Sequence, residues 1–180
     1  CKTYAFIGLP CFTRFIKNKK SKYSNIKLTI SLLCNQAPSC SFKKHLLKDN
    51  DVKEKELEGI DYRSGKHPGR IQLFYNNGNN KILDGGFPEY WRKYNYEYKF
   101  APKCCLKCNL YEGLESDISA GDPWPLPKYN KPEGWTKLLV RNNYAMNLIH
   151  QAHCENYIYY EEDDSQTMPK SDFIRKQKFV

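Results

Sequence analysis

Two short apolar runs, each followed by a cysteine, constrain the fold of this chain more than any other feature. Residues 4–9 lead through Pro10 into Cys11, and residues 26–33 lead into Cys34. Between the two runs, residues 13–20 have apolar side chains at helical spacing and a basic outer face, which predicts a short helix. Two buried strands separated by a helix predict a parallel βαβ unit, whose ligands gather at the carboxyl ends of the strands. We therefore expect Cys11 and Cys34 to be neighbours in space.

The remaining chain mixes helical and extended patterns. An asparagine-rich turn, residues 76–80, predicts a hairpin. The fold class is therefore α/β, or mixed α+β, with a mixed sheet that contains a βαβ unit and holds cofactors at the carboxyl ends of its strands. Helices are expected over residues 39–49, with an exposed continuation to 58, and after the strand 135–141 through residue 152. Further strands are expected over 60–63, 70–75, 81–83, 135–141 and 157–160. Residues 122–133 are expected to form a proline-containing loop, and residues 87–100 carry no decisive pattern.

Length and hydropathy indicate one globular unit. The chain has 180 residues, which is enough for one ordinary domain and short for two, so we expect a single domain over residues 1–180. No run approaches the roughly 18 apolar residues that a membrane helix needs. No secretory signal is visible, which favours the cytoplasm. Because Cys1 falls in a predicted strand, we also expect further sequence upstream.

The net charge of +9 allows three kinds of partner: nucleic acid, an anionic lipid, or a ligand that carries phosphate. The lysines are scattered along the chain instead of forming one basic helix or tail. A solvated lysine-rich surface explains the charge as well as a phosphate-bearing ligand does.

The cysteines point to a metal centre. The chain has eight, and Cys104, Cys105 and Cys108 lie within five residues. Such close neighbours are poor disulfide partners but good thiolate donors to one metal. The C-x-x-C pair Cys105 and Cys108 can bind iron or zinc, or form a redox disulfide. In a reducing compartment, structural disulfides are rare.

A third motif is the segment 117–122, Asp-Ile-Ser-Ala-Gly-Asp, which combines small and polar residues. Glycine and small side chains let the backbone approach a flat ring or a phosphate closely. Taken alone, the segment is also compatible with an ordinary turn.

Taken in order, these motifs resemble the beta subunit of the coenzyme F420 hydrogenase/dehydrogenase family, in its carboxyl-terminal region. The resemblance runs over nearly the whole chain. It rests on residues 5–11 (Ala-Phe-Ile-Gly-Leu-Pro-Cys), 32–34 with Pro38 and Ser39, 61–63 (Asp-Tyr-Arg) with Pro68 and Gly69, 105–108, 117–122, and Gly134 and Trp135 with Val140 and Arg141.

The resemblance implies a flavoprotein that holds FAD and a [4Fe–4S] cluster and exchanges electrons with an electron-transfer partner subunit or ferredoxin. Coenzyme F420 is one candidate substrate, and membership of a larger complex or oligomer is expected. By position, the resemblance makes Cys11, Cys34, Cys105 and Cys108 the cluster ligands, with Cys104 as an alternative to Cys105. It places Asp117, Ser119, Gly121 and Asp122 against the flavin, and it makes Arg63, Lys66 and Arg141 contacts for anionic groups, although each of these three also fits a surface cation.

Two other functions stay open on the sequence. A zinc-stabilised nucleic-acid-binding module would explain the charge, the C-x-x-C and the many tyrosines, but the chain lacks a second close Cys/His pair of standard spacing. The other alternative is a structural subunit that kept the fold and lost its cofactors. Our main expectation is an oxidoreductase that binds no nucleic acid.

Overall fold

The computed structural model describes residues 2–95, 98–123 and 134–163. These residues divide into two compact units. The first unit contains residues 2–35, 108–123 and 135–163, and the second contains residues 36–95, 98–107 and 134. The expectation of a single domain stays a prediction. In chain order the elements are β1 (Tyr4–Gly8), α1 (Pro10–Asn18), β2 (Ile26–Leu32), α2 (Cys40–Asp49), a 3-10 helix (Glu54–Glu56), β3 (Leu57–Ser64), β4 (Arg70–Tyr75), β5 (Asn80–Ile82), α3 (Phe87–Asn95), α4 (Lys103–Leu106), β6 (Ile118–Gly121), β7 (Lys137–Val140) and α5 (Asn143–Cys154).

The first unit is built on a four-stranded sheet with the order β1-β2-β6-β7. Strand β2 pairs in parallel with both β1 and β6, whereas β7 runs antiparallel to β6. Helix α1 connects β1 to β2, so the predicted βαβ unit is confirmed, and so is the mixed α/β class.

Helix α1 begins earlier than its hydrophobic pattern indicates, at Pro10. Proline suits the first helical position because the backbone N–H that it lacks would have no partner there. The inner side of the helix is fixed by Thr13, which is fully buried. Its hydroxyl donates to the Pro10 carbonyl at 3.0 Å and shares a hydrogen bond of 2.6 Å with the Ser31 hydroxyl of β2. The interface between α1 and the sheet is therefore partly polar.

The second unit packs helices against the antiparallel sheet β3-β4-β5. The predicted asparagine-rich hairpin joins β4 to β5, where Tyr75 N donates to Asn79 O at 2.9 Å and Gly78 adopts a φ of 80°. A positive φ favours glycine, which explains the residue at this position. The buried core consists of Leu46, Leu47, Ile71, Leu73, Leu83, Tyr94 and Phe100.

Two sequence predictions about elements are wrong. Helix α2 does not continue to residue 58: it ends at Asp49, and Asp51 has a φ of 53°, which no α-helix accommodates. Residues 157–160 form no strand. Backbone N–H groups of Tyr157 and Ile158 instead donate to the Ala152 carbonyl at 2.8 and 3.4 Å, so this segment caps the end of α5.

The aromatic stretch that the sequence left unassigned contains helix α3. Most of the predicted proline loop, residues 124–133, lies outside the described residues. Within the part of the chain that is described, no helix is both long and apolar enough to cross a membrane.

Candidate functional site

The carboxyl ends of the three parallel strands meet at one edge of the first unit's sheet. Gly8 of β1 is in register with Ser31 of β2, and Leu32 of β2 is in register with Ala120 of β6. Three sequence-predicted site residues follow these ends directly. Cys11 lies in the first turn of α1, Cys34 comes shortly after β2, and Asp122 immediately follows β6. The topology therefore brings these three positions to the same sheet edge, where ligands of such folds bind.

The loop before β6 also reaches this edge. Cys34 N donates to the Tyr111 carbonyl at 3.2 Å, and Leu33 N donates to the Ala120 carbonyl at 2.8 Å. At the start of the loop, the Cys108 sulfur accepts a hydrogen bond of 3.4 Å from Leu110 N. The bond from Cys34 N to the Tyr111 carbonyl attaches the loop that carries Cys108 to the residues just after β2.

The thiols differ in exposure. Cys11 is exposed, whereas Cys34 and Cys108 are half-buried, and none of the seven described cysteines forms a disulfide. Cys105 is half-buried in α4, in the second unit, and its neighbour Cys104 is exposed.

Thiols that are not in disulfides fit the chemistry of an iron–sulfur cluster. Among the described residues, no group of three or more His, Cys, Asp or Glu side chains is arranged so that it could hold a metal ion. The assignment of four cluster ligands stays a prediction.

Asp117 forms a buried network at the opposite, amino end of β6. Its Oδ2 accepts hydrogen bonds from Thr29 N and Thr29 Oγ1, both at 2.7 Å. Its Oδ1 accepts from Lys17 Nζ at 2.8 Å and from Asn142 Nδ2 at 2.9 Å. Burial alone would raise the pKa of Asp117, but the hydrogen bonds from Lys17 and Thr29 outweigh burial and hold the pKa below its ordinary value.

The network ties three elements together. Lys17 belongs to α1, Thr29 to β2, and Asn142 is the N-cap of α5, where its side-chain oxygen also accepts from Ala145 N at 2.9 Å. Both carboxylate oxygens of Asp117 are thus engaged by the protein's own donors. This arrangement gives Asp117 a role in holding the fold.

Gly121, at the end of β6, lies against Leu33. A Cβ added to Gly121 would stand 2.5 Å from Leu33 Cγ and 2.8 Å from Leu33 Cβ, closer than real contacts allow. The absence of a side chain at Gly121 is therefore required by protein packing itself. Its φ is not positive, so the requirement comes from space and not from backbone conformation.

Arg141 is a half-buried cation on the sheet beside the fully buried Ser119. Its Nη1 donates to Ser119 Oγ at 2.8 Å and to the Leu139 carbonyl at 3.5 Å, and its Nη2 donates to the Glu112 carbonyl at 3.3 Å. Ser119 Oγ in turn donates to the Glu112 carbonyl.

Arg141 is a cation whose contacts with the described residues are hydrogen bonds to uncharged groups. Across the described segments, no carboxylate lies within ion-pair distance of its guanidinium. Burial lowers the pKa of Arg141, and the charge of Glu112 partly offsets this effect. A half-buried guanidinium that donates to neutral acceptors within the described part of the chain is suited to an anionic ligand.

The other two predicted cations, Arg63 and Lys66, lie in the second unit and are exposed. Arg63 Nε donates to the Pro68 carbonyl at 3.4 Å, and its Nη2 lies 3.4 Å from His67 Nδ1. The Arg63 side chain is thus folded onto the loop between β3 and β4.

Sequence reasoning missed Tyr111, which lies beside Cys34. Its phenol is half-buried, and its pKa is raised, first by burial and then by the charges of Glu112, Asp122 and Cys34. No motif marks this tyrosine. Lys17, Thr29 and Asn142 were missed as well, and of these only Asn142 carries a signal, since asparagine directly before a predicted helix is a good N-cap.

Comparison with family models identifies the family of this chain. Residues 1–166 match a family model that describes the C terminus of the beta subunit of coenzyme F420 hydrogenase/dehydrogenase. A curated relative is the uncharacterized protein MJ1349 of Methanocaldococcus jannaschii. It is 24% identical over an alignment of 192 residues, gaps included, that covers 98% of this chain and 46% of the relative.

A similar fold occurs in the F420-reducing [NiFe] hydrogenase complex from Methanosarcina barkeri, solved as a xenon derivative. One chain of that complex matches with a TM-score of 0.58 and 16% identity, over 98% of this chain and 57% of that chain. The chain thus spans about half the length of the curated relative and of this solved neighbour.

Proposed function

Because the chain belongs to the coenzyme F420 hydrogenase/dehydrogenase beta-subunit family, we propose that it is a flavin- and iron–sulfur-dependent oxidoreductase module. It moves electrons between coenzyme F420 or a ferredoxin-type carrier and a partner subunit. The solved neighbour is part of a multi-subunit hydrogenase complex, which supports assembly of this chain into a larger complex. Family membership also favours a redox role over a zinc-stabilised nucleic-acid-binding module.

The observation that carries the proposal is the thiol-bearing sheet edge. Cys11 and Cys34 follow neighbouring parallel strands, and the backbone bond from Cys34 to Tyr111 attaches the Cys108 loop to the same edge. The proposal assigns Cys11, Cys34, Cys105 and Cys108 to a [4Fe–4S] cluster, with Cys104 as the alternative to Cys105. Such a cluster supplies transfer of single electrons, and FAD supplies conversion between two-electron and one-electron steps.

For the flavin, the strongest single residue is Arg141. The proposal is that its half-buried guanidinium, which Ser119 and two backbone carbonyls hold in place, receives a phosphate of FAD or of the deazaflavin. Arg63 and Lys66 are the secondary candidates. Within the segment 117–122, the half-buried Asp122 at the sheet edge is the residue best placed to touch a ring, since Asp117, Ser119 and Gly121 are engaged inside the protein.

An absorbance spectrum of anaerobically purified protein tests the proposal. Flavin bands and a broad iron–sulfur shoulder support it, and a colourless protein refutes it in favour of a structural subunit without cofactors. Iron analysis of variants then tests the ligands. Cys34→Ala should lose iron, while Cys154→Ala, at an exposed cysteine of α5, should keep it. Equal iron loss in both variants would refute the ligand assignment.

A further inference from the structure

An exposed aromatic and basic patch surrounds Cys11 on the outer side of α1. Phe12 and Phe15 are 57% and 52% exposed, although large apolar side chains are usually buried. They are three positions apart and therefore lie on the same side of the helix, and Cys11 precedes Phe15 by one helical turn. Cys11 is itself exposed.

The turn after α1 extends this patch. Lys22 N and Tyr23 N donate to the Lys19 carbonyl at 2.9 and 3.2 Å, which folds the chain back toward the helix. The rings of Phe15 and Tyr23 are 6.2 Å apart, and Lys22 Nζ stands 5.8 Å from the centre of the Tyr23 ring. We call the surface formed by Cys11, Phe12, Phe15, Lys19, Lys20, Lys22 and Tyr23 the α1 patch.

The charged residues of the α1 patch are all basic. The first 48 residues contain no Asp or Glu. Two cations of α1 are neutralised by later acids, since Arg14 pairs with Glu115 at 3.2 Å and Lys17 with Asp117 at 2.8 Å. The patch lysines are exposed and form no ion pair with any of the residues that the structure describes. These are Lys19, Lys20 and Lys22.

From this surface we propose that the α1 patch is the docking site for an acidic electron-carrier protein. The inference rests on the proposed function, because Cys11 would then place the cluster directly behind the interface. An apolar centre with a charged rim is the usual composition of such interfaces, and complementary charge speeds the encounter. Interfaces of weak electron-transfer complexes are small, so a surface built on one nine-residue helix and the turn after it is a suitable site for one.

A membrane surface fits less well. Helices that bind a bilayer surface insert a continuous apolar face, and their binding scales with the apolar area inserted. Helix α1 has nine residues, presents two aromatic rings outward, and is held on its inner side by the buried Thr13.

The test measures association of the full chain with an immobilised acidic plant-type ferredoxin at low and high salt. Binding should weaken with salt. It should fall about tenfold or more when Lys19, Lys20 and Lys22 are all replaced by glutamate. A matched control replaces the exposed Lys48, Lys55 and Lys81 of the second unit by glutamate, which changes the net charge equally and should leave binding within about twofold of wild type.

The aromatic part is tested by Phe12→Ser, which should weaken binding about tenfold. Ile82→Ser, at a similarly exposed residue of β5 that is 49% accessible, serves as its control. Flavin and iron content should be unchanged in all four variants. A colourless chain that still binds ferredoxin through the α1 patch would refute the proposed redox function and leave the docking surface intact.

Three outcomes overturn the docking proposal. One is the absence of salt-sensitive binding to ferredoxin. A second is equal loss of binding in the α1 variant and the lysine control, which would show a response to net charge only. The third is binding through the α1 patch to phosphatidylcholine vesicles containing phosphatidylserine, or to duplex DNA, without binding to ferredoxin.

Discussion

Replacing Asp117 by asparagine measures how strongly the buried carboxylate holds the first unit together. Each of its two oxygens accepts two hydrogen bonds, one oxygen from Thr29 N and Thr29 Oγ1, the other from Lys17 and Asn142. In asparagine, one of these oxygens becomes an NH₂ group. If the amide nitrogen faces Lys17 and Asn142, two donors face another donor. If it faces Thr29, the Thr29 N–H faces a donor while the Thr29 hydroxyl can rotate to accept. In both orientations Lys17 loses its counter-charge.

The cost follows from these contacts. A hydrogen bond to a charged group contributes about 1.5–3 kcal/mol, and one or two are lost, depending on the orientation of the amide. If the amide nitrogen turns toward Lys17, whose side chain is 35% exposed, water can replace part of the loss. We therefore expect Asp117→Asn to lower the free energy of unfolding by about 3 kcal/mol. Lys17→Met removes one of the four donors, the partly exposed one, and should lower the free energy of unfolding by about 1 kcal/mol.

Urea unfolding followed by circular dichroism measures both variants, with an unchanged m value as the sign that only stability has changed. A cost for Asp117→Asn below about 1 kcal/mol would contradict this reasoning, because the network would then contribute no more than one neutral hydrogen bond. So would an equal cost for the two variants, since that result would assign the whole effect to the ion pair.

Three further predictions follow from the same unit. The pKa of Asp117 is lower in the folded chain than its unfolded value of about 3.9, so its contribution is complete above that pH and is lost as the pH falls through the folded pKa. Urea titrations at successive pH values measure the difference in unfolding free energy between wild type and Asp117→Asn. This difference should shrink below about pH 4. A constant difference would contradict the view that the charged carboxylate stabilises the fold. Gly121→Val should lower the urea unfolding midpoint even without cofactor, because the valine side chain would meet Leu33. Adding Leu33→Ala should restore part of the midpoint. A double variant with a midpoint as low as that of Gly121→Val would point to another cause. Arg141→Gln should weaken FAD binding about tenfold in a fluorescence titration, whereas Lys48→Gln should not, and equal affinity of the Arg141 variant and wild type would remove Arg141 from the flavin site.

The parts of the fold that local pattern determines were predictable. Apolar runs ending near Gly8 and Leu32, with a helical pattern between them, predicted the βαβ unit, and the residues around Gly78 predicted the hairpin. The error at residues 157–160 has a simple cause. Their apolar and aromatic composition suits a strand, but Asn156 takes a φ of 60° and the following N–H groups bond to Ala152.

The site was less predictable because its contacts are distant in sequence. Asp117 bonds to Thr29 across 88 positions and to Lys17 across 100, and neither residue belongs to a motif. The sequence of its own short segment therefore predicted Asp117 as a flavin contact. In the structure its carboxylate accepts hydrogen bonds from Lys17, Thr29 and Asn142. Tyr111 escaped notice for the same reason, since only the fold brings its carbonyl to Cys34.

The interleaving of the two units along the chain has a consequence for biosynthesis. All described helices and strands of the second unit lie between Cys40 and Leu106, so the ribosome delivers this unit as one nearly continuous stretch. The sheet of the first unit must wait for β6, which pairs with β2 only after that stretch has emerged. Until then β2 keeps one edge unpaired, and closing such a long loop is slow. Nascent chains stalled before Ile118 should thus expose β2 to chaperones while the second unit is already folded.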